Sequence, residues 1–142
     1  LPAEHRRIGM LFQTPLLFPH LNIADNISFG LSREHRGASR RTMIEEALKA
    51  AGLAGFGPRD PATLSGGQQS RVALLRTLLA APEALLLDEP FASLDDNARA
   101  KNIALLRAET KTRGVPVLLV SHDPRDAALA DMPVISLSQK QS

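Results

Sequence analysis

The 142 residues carry 17 basic and 15 acidic side chains, a net charge of +2, and are 44% hydrophobic and 23% charged, the composition of an ordinary globular domain. Cysteine is absent, which excludes a disulfide scaffold and a thiolate metal site, and no apolar run approaches the ~20 residues that span a bilayer. Two surplus positive charges, with neither Trp nor Tyr to stack on bases, give no reason to expect a nucleic-acid partner.

Arg7–Phe12 reads as a short apolar strand ending at Gln13, after which Pro15 and Pro19 break regular structure. Asn22 starts a helix that runs to about Leu31, with Asp25 in its first turn. Ser32–Ser39 is polar, contains Gly37 and is expected to be loop. Thr42 and Glu45 fit a capping box, and Ile44, Ala47, Leu48 and Ala51 make one apolar face before Gly52 stops the helix. Ala54–Thr63, with Gly55, Gly57, Pro58 and Pro61, is expected to be largely loop.

Ser65 starts the next helix, with Gly66 and Gly67 in its first turn and Val72, Leu75, Leu78 and Leu79 on its buried side, and Pro82 ends it. Ala84–Leu87 is apolar on both faces, as expected of a central parallel strand. Asp95 begins an amphipathic helix to about Thr112, closed by Gly114, and Val117–Val120 is a second buried strand. Pro124–Leu129 reads as a short helix and Val134–Leu137 as a last strand. A helical, irregular first part followed by alternating helix and strand predicts an α/β fold, with helices covering a parallel sheet.

Chemistry concentrates in a few places. Leu64-Ser65-Gly66-Gly67-Gln68 offers a hydroxyl and unobstructed backbone N–H groups at the positive end of a helix, a suitable anion site; the same residues also make a plain N-cap with flexible glycines. Ala84–Leu87 runs into Asp88, Glu89 and Pro90, placing adjacent carboxylates where a buried strand leaves the sheet. Asp88 is suited to holding Mg2+ and Glu89 to polarising an attacking water, whereas a solvated strand end would account for only one acid. His122 follows the Val117–Val120 strand and can donate to a phosphate oxygen, although a lone His there is more often structural. Gln13 also ends a predicted strand, which alone is uninformative.

Gln13, Leu64–Gln68, Asp88–Glu89, Asp95 and His122 together have the order and approximate spacing of the ABC ATPase family, and the resemblance covers nearly the whole chain. Phe12-Gln13 resembles the Q-loop of that family, Leu64–Gln68 its signature, Leu85–Glu89 its Walker B strand, Ser93-Leu94-Asp95 its D-loop and Ser121-His122-Asp123 its switch-histidine loop. Ala92 stands where many relatives have Ser, an ordinary variation. Leu11–Ile27 resembles bacterial importer subunits, and the whole run most resembles small YnjD-like or thiamine-type importer ATPases. The resemblance implies a P-loop NTPase-like parallel sheet flanked by helices with a helical signature subdomain: residues 1–13 as strand and Q-loop, 14–80 as signature subdomain, and 81–142 as the catalytic part.

The same resemblance implies roles. Asp88 would hold Mg2+, Glu89 would be the general base, Gln13 would sense metal and water, and His122 would contact the γ-phosphate. Ser65, Gly66, Gly67 and Gln68 would serve ATP bound on the opposite subunit, with Ser65 and Gly67 contacting its γ-phosphate, and Asp95 would link the two sites. The implied partners are a second ATPase subunit, as a homodimer, and transmembrane permease subunits; the implied location is the cytoplasm, peripheral to the inner face of the plasma membrane. A soluble ABC ATPase of DNA repair or translation, or a non-enzymatic dimerising remnant, is the alternative, and the compact interval from Gln13 to Leu64 argues against the soluble class.

No Gly-x-x-x-x-Gly-Lys-[Ser/Thr] loop occurs, and that loop normally grips the β- and γ-phosphates. The chain also opens on Leu, so an upstream portion, including an N-terminal β region, is expected to be missing. Two expectations follow: the chain alone does not bind ATP specifically, and it self-associates through an exposed sheet edge and apolar face. The run Arg33–Arg41, with four arginines and a histidine, reads as a solvated loop, or alternatively as a contact for acidic partner residues or lipid headgroups.

Overall fold

The computed structural model describes residues 7–12, 16–31, 37–121 and 134–135. The chain forms two compact units: Leu1–Thr14 with Pro82–Ser142, and the contiguous Pro15–Ala81.

The first unit is built on one sheet. Strands β1 (Ile8–Phe12), β2 (Ala84–Asp88), β3 (Val117–Val120) and β4 (Val134–Ile135) lie in that order, and every neighbouring pair is parallel. Parallel neighbours cannot be joined by a tight turn, so helix α4 (Asp96–Arg113) carries the chain from β2 to β3. Asp95 caps α4, its carboxylate accepting from the Ala98 N–H at 2.8 Å. Gly114 closes the helix in the left-handed region at φ +64, where glycine is unstrained. Leu11, Leu85, Leu87, Val117 and Leu119 are buried, as are Phe91, Leu105 and Leu106.

The pleat sends alternate residues to the other face, and there burial is incomplete. Ile8 (58% exposed), Met10, Phe12 and Leu118 (37%) are exposed, and Ala84 and Leu86 between them are half-buried. The expectation that Ala84–Leu87 is buried on both faces therefore holds for Leu85 and Leu87 only. Residues 136–137 of the expected last strand and the expected helix Pro124–Leu129 lie outside the described residues.

The second unit packs α1 (Ile23–Gly30) and α2 (Gly37–Ala50) with α3 (Gly66–Leu79). Asn22 caps α1, accepting from the Asp25 N–H at 2.8 Å. Helix α2 ends in a Schellman motif, as the position of Gly52 suggests. Gly52, at φ +75, donates to the Lys49 carbonyl at 3.1 Å, and Leu53 donates to the Leu48 carbonyl at 2.7 Å. The Arg71 guanidinium adds a donor at 3.1 Å to the Ala51 carbonyl, a cation at a helix C-terminus.

Two expectations fail here. Helix α2 begins at Gly37, so residues 37–39 of the expected loop are helical, and Thr42 and Glu45 lie inside the helix rather than forming a capping box at its start. The extra turn has a tertiary cause: Arg40 lies in it, and its Nε donates to Ser28 Oγ at 2.6 Å while Nη2 donates to the Ser28 carbonyl, fastening the start of α2 to the end of α1. The segment 54–63 is largely loop but holds a single 3-10 turn, Pro61–Thr63, capped by Asp60 accepting from Ala62 N–H at 2.9 Å. Helix α3 is buried on more than one side, since Ser70 through Leu75 are all buried. Gly30 allows the close approach of α1, because a Cβ there would stand 2.6 Å from the Arg76 carbonyl oxygen.

Candidate functional site

The strand register brings three chain segments to one edge. Phe12, Asp88 and Val120 are in register across β1, β2 and β3, so these strands end together at the carboxyl edge of the sheet, where ligands of open α/β sheets bind. Asp88 is exposed there, directly after buried Leu87. Glu89 follows at φ +48, a left-handed conformation that costs a residue with a side chain roughly 1–2 kcal/mol. Its N–H donates to the Val120 carbonyl at 2.8 Å, and Pro90 and Phe91 beyond it are buried. Strain of this kind persists only where its surroundings over-determine it, and it concentrates at functional sites.

The chain then turns through Phe91–Asp95 into α4. Ala92 N–H reaches the Glu89 carbonyl at 3.4 Å, and Leu94 N–H reaches the Phe91 carbonyl at 3.2 Å. The buried Arg99 side chain donates to the same Phe91 carbonyl, also at 3.2 Å. Asp95 is exposed, and one carboxylate oxygen is engaged in capping α4. Gln13 and His122, which follow Phe12 and Ser121 in the chain, lie outside the described residues.

The other predicted cluster is in the second unit, at the tip of α3. Ser65 and Gln68 form a reciprocal capping box: Ser65 Oγ accepts from Gln68 N–H at 3.2 Å, and Gln68 Oε1 accepts from Ser65 N–H at 2.9 Å. The plain N-cap reading of Ser65 thus describes a real contact, and the Ser-x-x-Gln spacing that announces it was readable in the sequence. Gly67 is buried and Gly66 exposed, and a Cβ built on Gly66 meets nothing within 4 Å. Packing among the described residues gives no reason for glycine at 66, while a bare helix tip lets an anion or a second polypeptide approach the backbone closely.

Among the described residues no group of three His, Asp or Glu side chains could hold a metal ion. A single exposed carboxylate at the sheet edge fits an ion that arrives with a nucleotide, because Mg2+ commonly takes one or two protein carboxylates and fills its shell with phosphate oxygens and water. A cleft of about 530 Å3, lined by Ile44, Leu48 and Pro58 with Arg41, Glu45 and Lys49 around it, contains none of the predicted site residues. No described helix is long and apolar enough to cross a membrane.

Sequence reasoning passed over Asn26, Arg71 and Arg99, all buried and all donating side-chain hydrogen bonds to backbone carbonyls. Burial shifts the Arg71 guanidinium below its usual pKa, as it does for half-buried Arg76, whose Nη2 donates to the Leu16 carbonyl at 2.8 Å. None of these contacts follows a helix or strand period, so no local pattern announces them.

The sequence profile of the family described as "ABC transporter" matches residues 1–92. The chain is 45% identical over 139 residues to the uncharacterized ABC transporter ATP-binding protein YnjD of Escherichia coli strain K12, covering 98% of this chain and 64% of that protein. It is 48% identical over 132 residues to the thiamine import ATP-binding protein ThiQ of Rhizobium meliloti, covering 92% of this chain and 55% of that one. Among solved structures, the post-hydrolysis dimer of the ATP-binding cassette MJ0796 bound to ADP and Pi superimposes with a TM-score of 0.76 at 35% identity, over 94% of this chain and 59% of the other. The chain thus spans less than two thirds of the length of these proteins. With the parallel sheet, its acidic corner and the capped glycine tip of α3 in place, the chain belongs to the ABC transporter family of ATP-binding domains.

Proposed function

We propose that the chain is the signature-bearing part of an importer ATPase, coupling ATP hydrolysis to solute uptake through a membrane permease. The observation that carries the reading is Glu89 held at φ +48 immediately beyond Asp88, at the edge where Phe12, Asp88 and Val120 end in register. Relatives named as importers of thiamine, of Fe(3+) ions and of spermidine/putrescine support the transport class.

In this reading Glu89 accepts a proton from the attacking water, and its fixed backbone holds the carboxylate at one station on the sheet edge. Asp88 would hold Mg2+, which when bound would supply positive charge to offset that of the nucleotide's phosphates. Gln13 would sense metal and water and His122 would contact the γ-phosphate. The α3 tip, Ser65 to Gln68, offers its hydroxyl and helix dipole to a nucleotide held by a second ATPase subunit, and Asp95 joins the two sites. Residues 1–13 then act as the strand and Q-loop, 14–80 as the signature subdomain, and 81–142 as the catalytic part. The permease meets the 14–80 subdomain, where Leu16 and Phe29 are 74% and 70% exposed and the Phe29 ring lies 4.8 Å from Phe18. In this reading the protein works in the cytoplasm, against the inner face of the membrane. Alone, the chain binds no ATP specifically, having no phosphate loop, and it self-associates through its open sheet face.

The reading is tested by exchanging this chain for the 139 residues it matches in YnjD. The chimaera is expected to hydrolyse MgATP and to lose that activity on Glu89→Gln while still binding nucleotide. A folded, ATP-binding chimaera whose hydrolysis ignores Glu89 would overturn the assignment.

A further inference from the structure

We propose that Arg99 is a positioning residue for the hydrolytic corner, fixing the loop that joins Glu89 to Asp95. The proposal rests on the reading of Asp88, Glu89 and Asp95 given above, although its test does not require hydrolysis. Arg99 lies in the first turn of α4 and is only 5% exposed, an unusual environment for an arginine.

Two contacts from this residue bracket the loop. Its backbone N–H donates to the Asp95 carbonyl at 2.9 Å, while its Nη2 reaches back eight residues to the Phe91 carbonyl at 3.2 Å. Two backbone bonds inside the loop, Ala92 to Glu89 at 3.4 Å and Leu94 to Phe91 at 3.2 Å, lie at or beyond the long end of the normal range. Phe91, 1% exposed, anchors the apolar side and leaves its carbonyl to accept both the Leu94 N–H and the guanidinium.

A charged donor makes a stronger bond than a neutral amide, and a buried one is not exchanged for water. Arg99 thus adds a buried, charged donor to the five residues between the strained Glu89 turn and the Asp95 cap. Its effect on the reaction is indirect: it sets where Glu89 and Asp95 stand.

Amide hydrogen exchange of the 142-residue chain tests this, with Arg99→Met to remove the donor and Arg99→Lys to keep one. In Arg99→Met the Leu94 amide is expected to exchange about tenfold faster, while Leu87 and Leu119 in the sheet change by less than about twofold. Arg99→Lys is expected to recover part of the protection at Leu94. Equal acceleration at all three amides would mean that Arg99 only stabilises the core, and no acceleration at Leu94 would mean that it does not hold the loop; either result overturns the proposal. Should Arg99→Met not fold, the unmodified chain still decides: separate, slowly exchanging Nη resonances for Arg99 support the fixed guanidinium, and a single averaged signal refutes it.

Discussion

The side-chain amide of Asn26 holds both backbone polar groups of Phe18, its Oδ1 accepting the Phe18 N–H at 2.7 Å and its Nδ2 donating to the Phe18 carbonyl at 3.1 Å. The same Nδ2 also reaches the carbonyls of Leu21 at 3.1 Å and Asn22 at 3.0 Å. One fully buried residue of α1 therefore shapes the stretch that carries Leu16 and Phe18 toward the proposed permease contact. Asn26→Ala is expected to lower stability by about 2–4 kcal/mol, read from urea denaturation, because buried backbone groups lose their partner. If the Asn26 contacts are replaceable by water, the midpoint will hardly move.

Glu89 and Ala81 are the described non-glycine residues at positive φ, at +48 and +53. Replacing either with glycine relieves the crowding of Cβ while adding freedom to the unfolded chain, for a net gain of roughly 0.5 kcal/mol. The two variants should match in thermal stability and diverge in the YnjD chimaera, where Ala81→Gly retains hydrolysis and Glu89→Gly abolishes it. Loss of stability in Glu89→Gly would mean that its side chain supports the fold rather than the chemistry.

At the tip of α3, folding and function are expected to separate. Ser65→Ala removes half of the capping box and should cost about 1 kcal/mol. Gly66→Ala meets no atom of the described residues within 4 Å and should raise helix stability by about 0.5 kcal/mol. If this tip faces a nucleotide across a dimer, Gly66→Ala nevertheless slows hydrolysis in the chimaera. Stability measured by denaturation and turnover measured on the same sample give the comparison directly.

Gly30→Ala probes the close approach of α1 to α3. The new methyl would press against the Arg76 carbonyl at 2.6 Å, and backbone cannot swing aside as a flexible side chain does. A loss of about 1–3 kcal/mol is expected from overpacking, checked by thermal unfolding. A neutral result would show that the two helices separate without penalty.

The sheet face bearing Ile8, Met10, Phe12 and Leu118 gives a test of association. Sedimentation of the isolated chain at rising concentration should show oligomers, and Met10→Lys with Leu118→Lys should shift it toward monomer without loss of helix signal. A monomer at every concentration before substitution removes the proposal of self-association.

Much of the architecture was legible because it rests on periods and stops. Gly52 and Gly114 marked helix ends through a conformation other residues resist, and apolar Ala84–Leu87 and Val117–Val120 announced parallel strands. The acidic corner was legible too, since Asp88 and Glu89 break an apolar run abruptly. What escaped was set by contacts distant in sequence. Arg40 extended α2 back to Gly37 by bonding Ser28, and arginines such as Arg71 and Arg99, which look solvated on a helical wheel, turned inward to carbonyls. The exposed alternate residues of β1 could not be told from buried ones, because the sequence of a strand does not state which of its faces is covered.

The sheet neighbours β1 and β2 are joined only through the whole of Pro15–Ala81. Pairing them before that stretch has condensed would mean closing a very long loop, with the entropy loss that entails. The helical stretch is continuous in sequence and has its own apolar interior, so collapsing it first shortens the loop that β1 and β2 must close to pair. Refolding is therefore expected to show protected amides in α1 and α3 ahead of β1, and a variant that loosens the helices, such as Asn26→Ala, should delay the sheet without touching any of its strands.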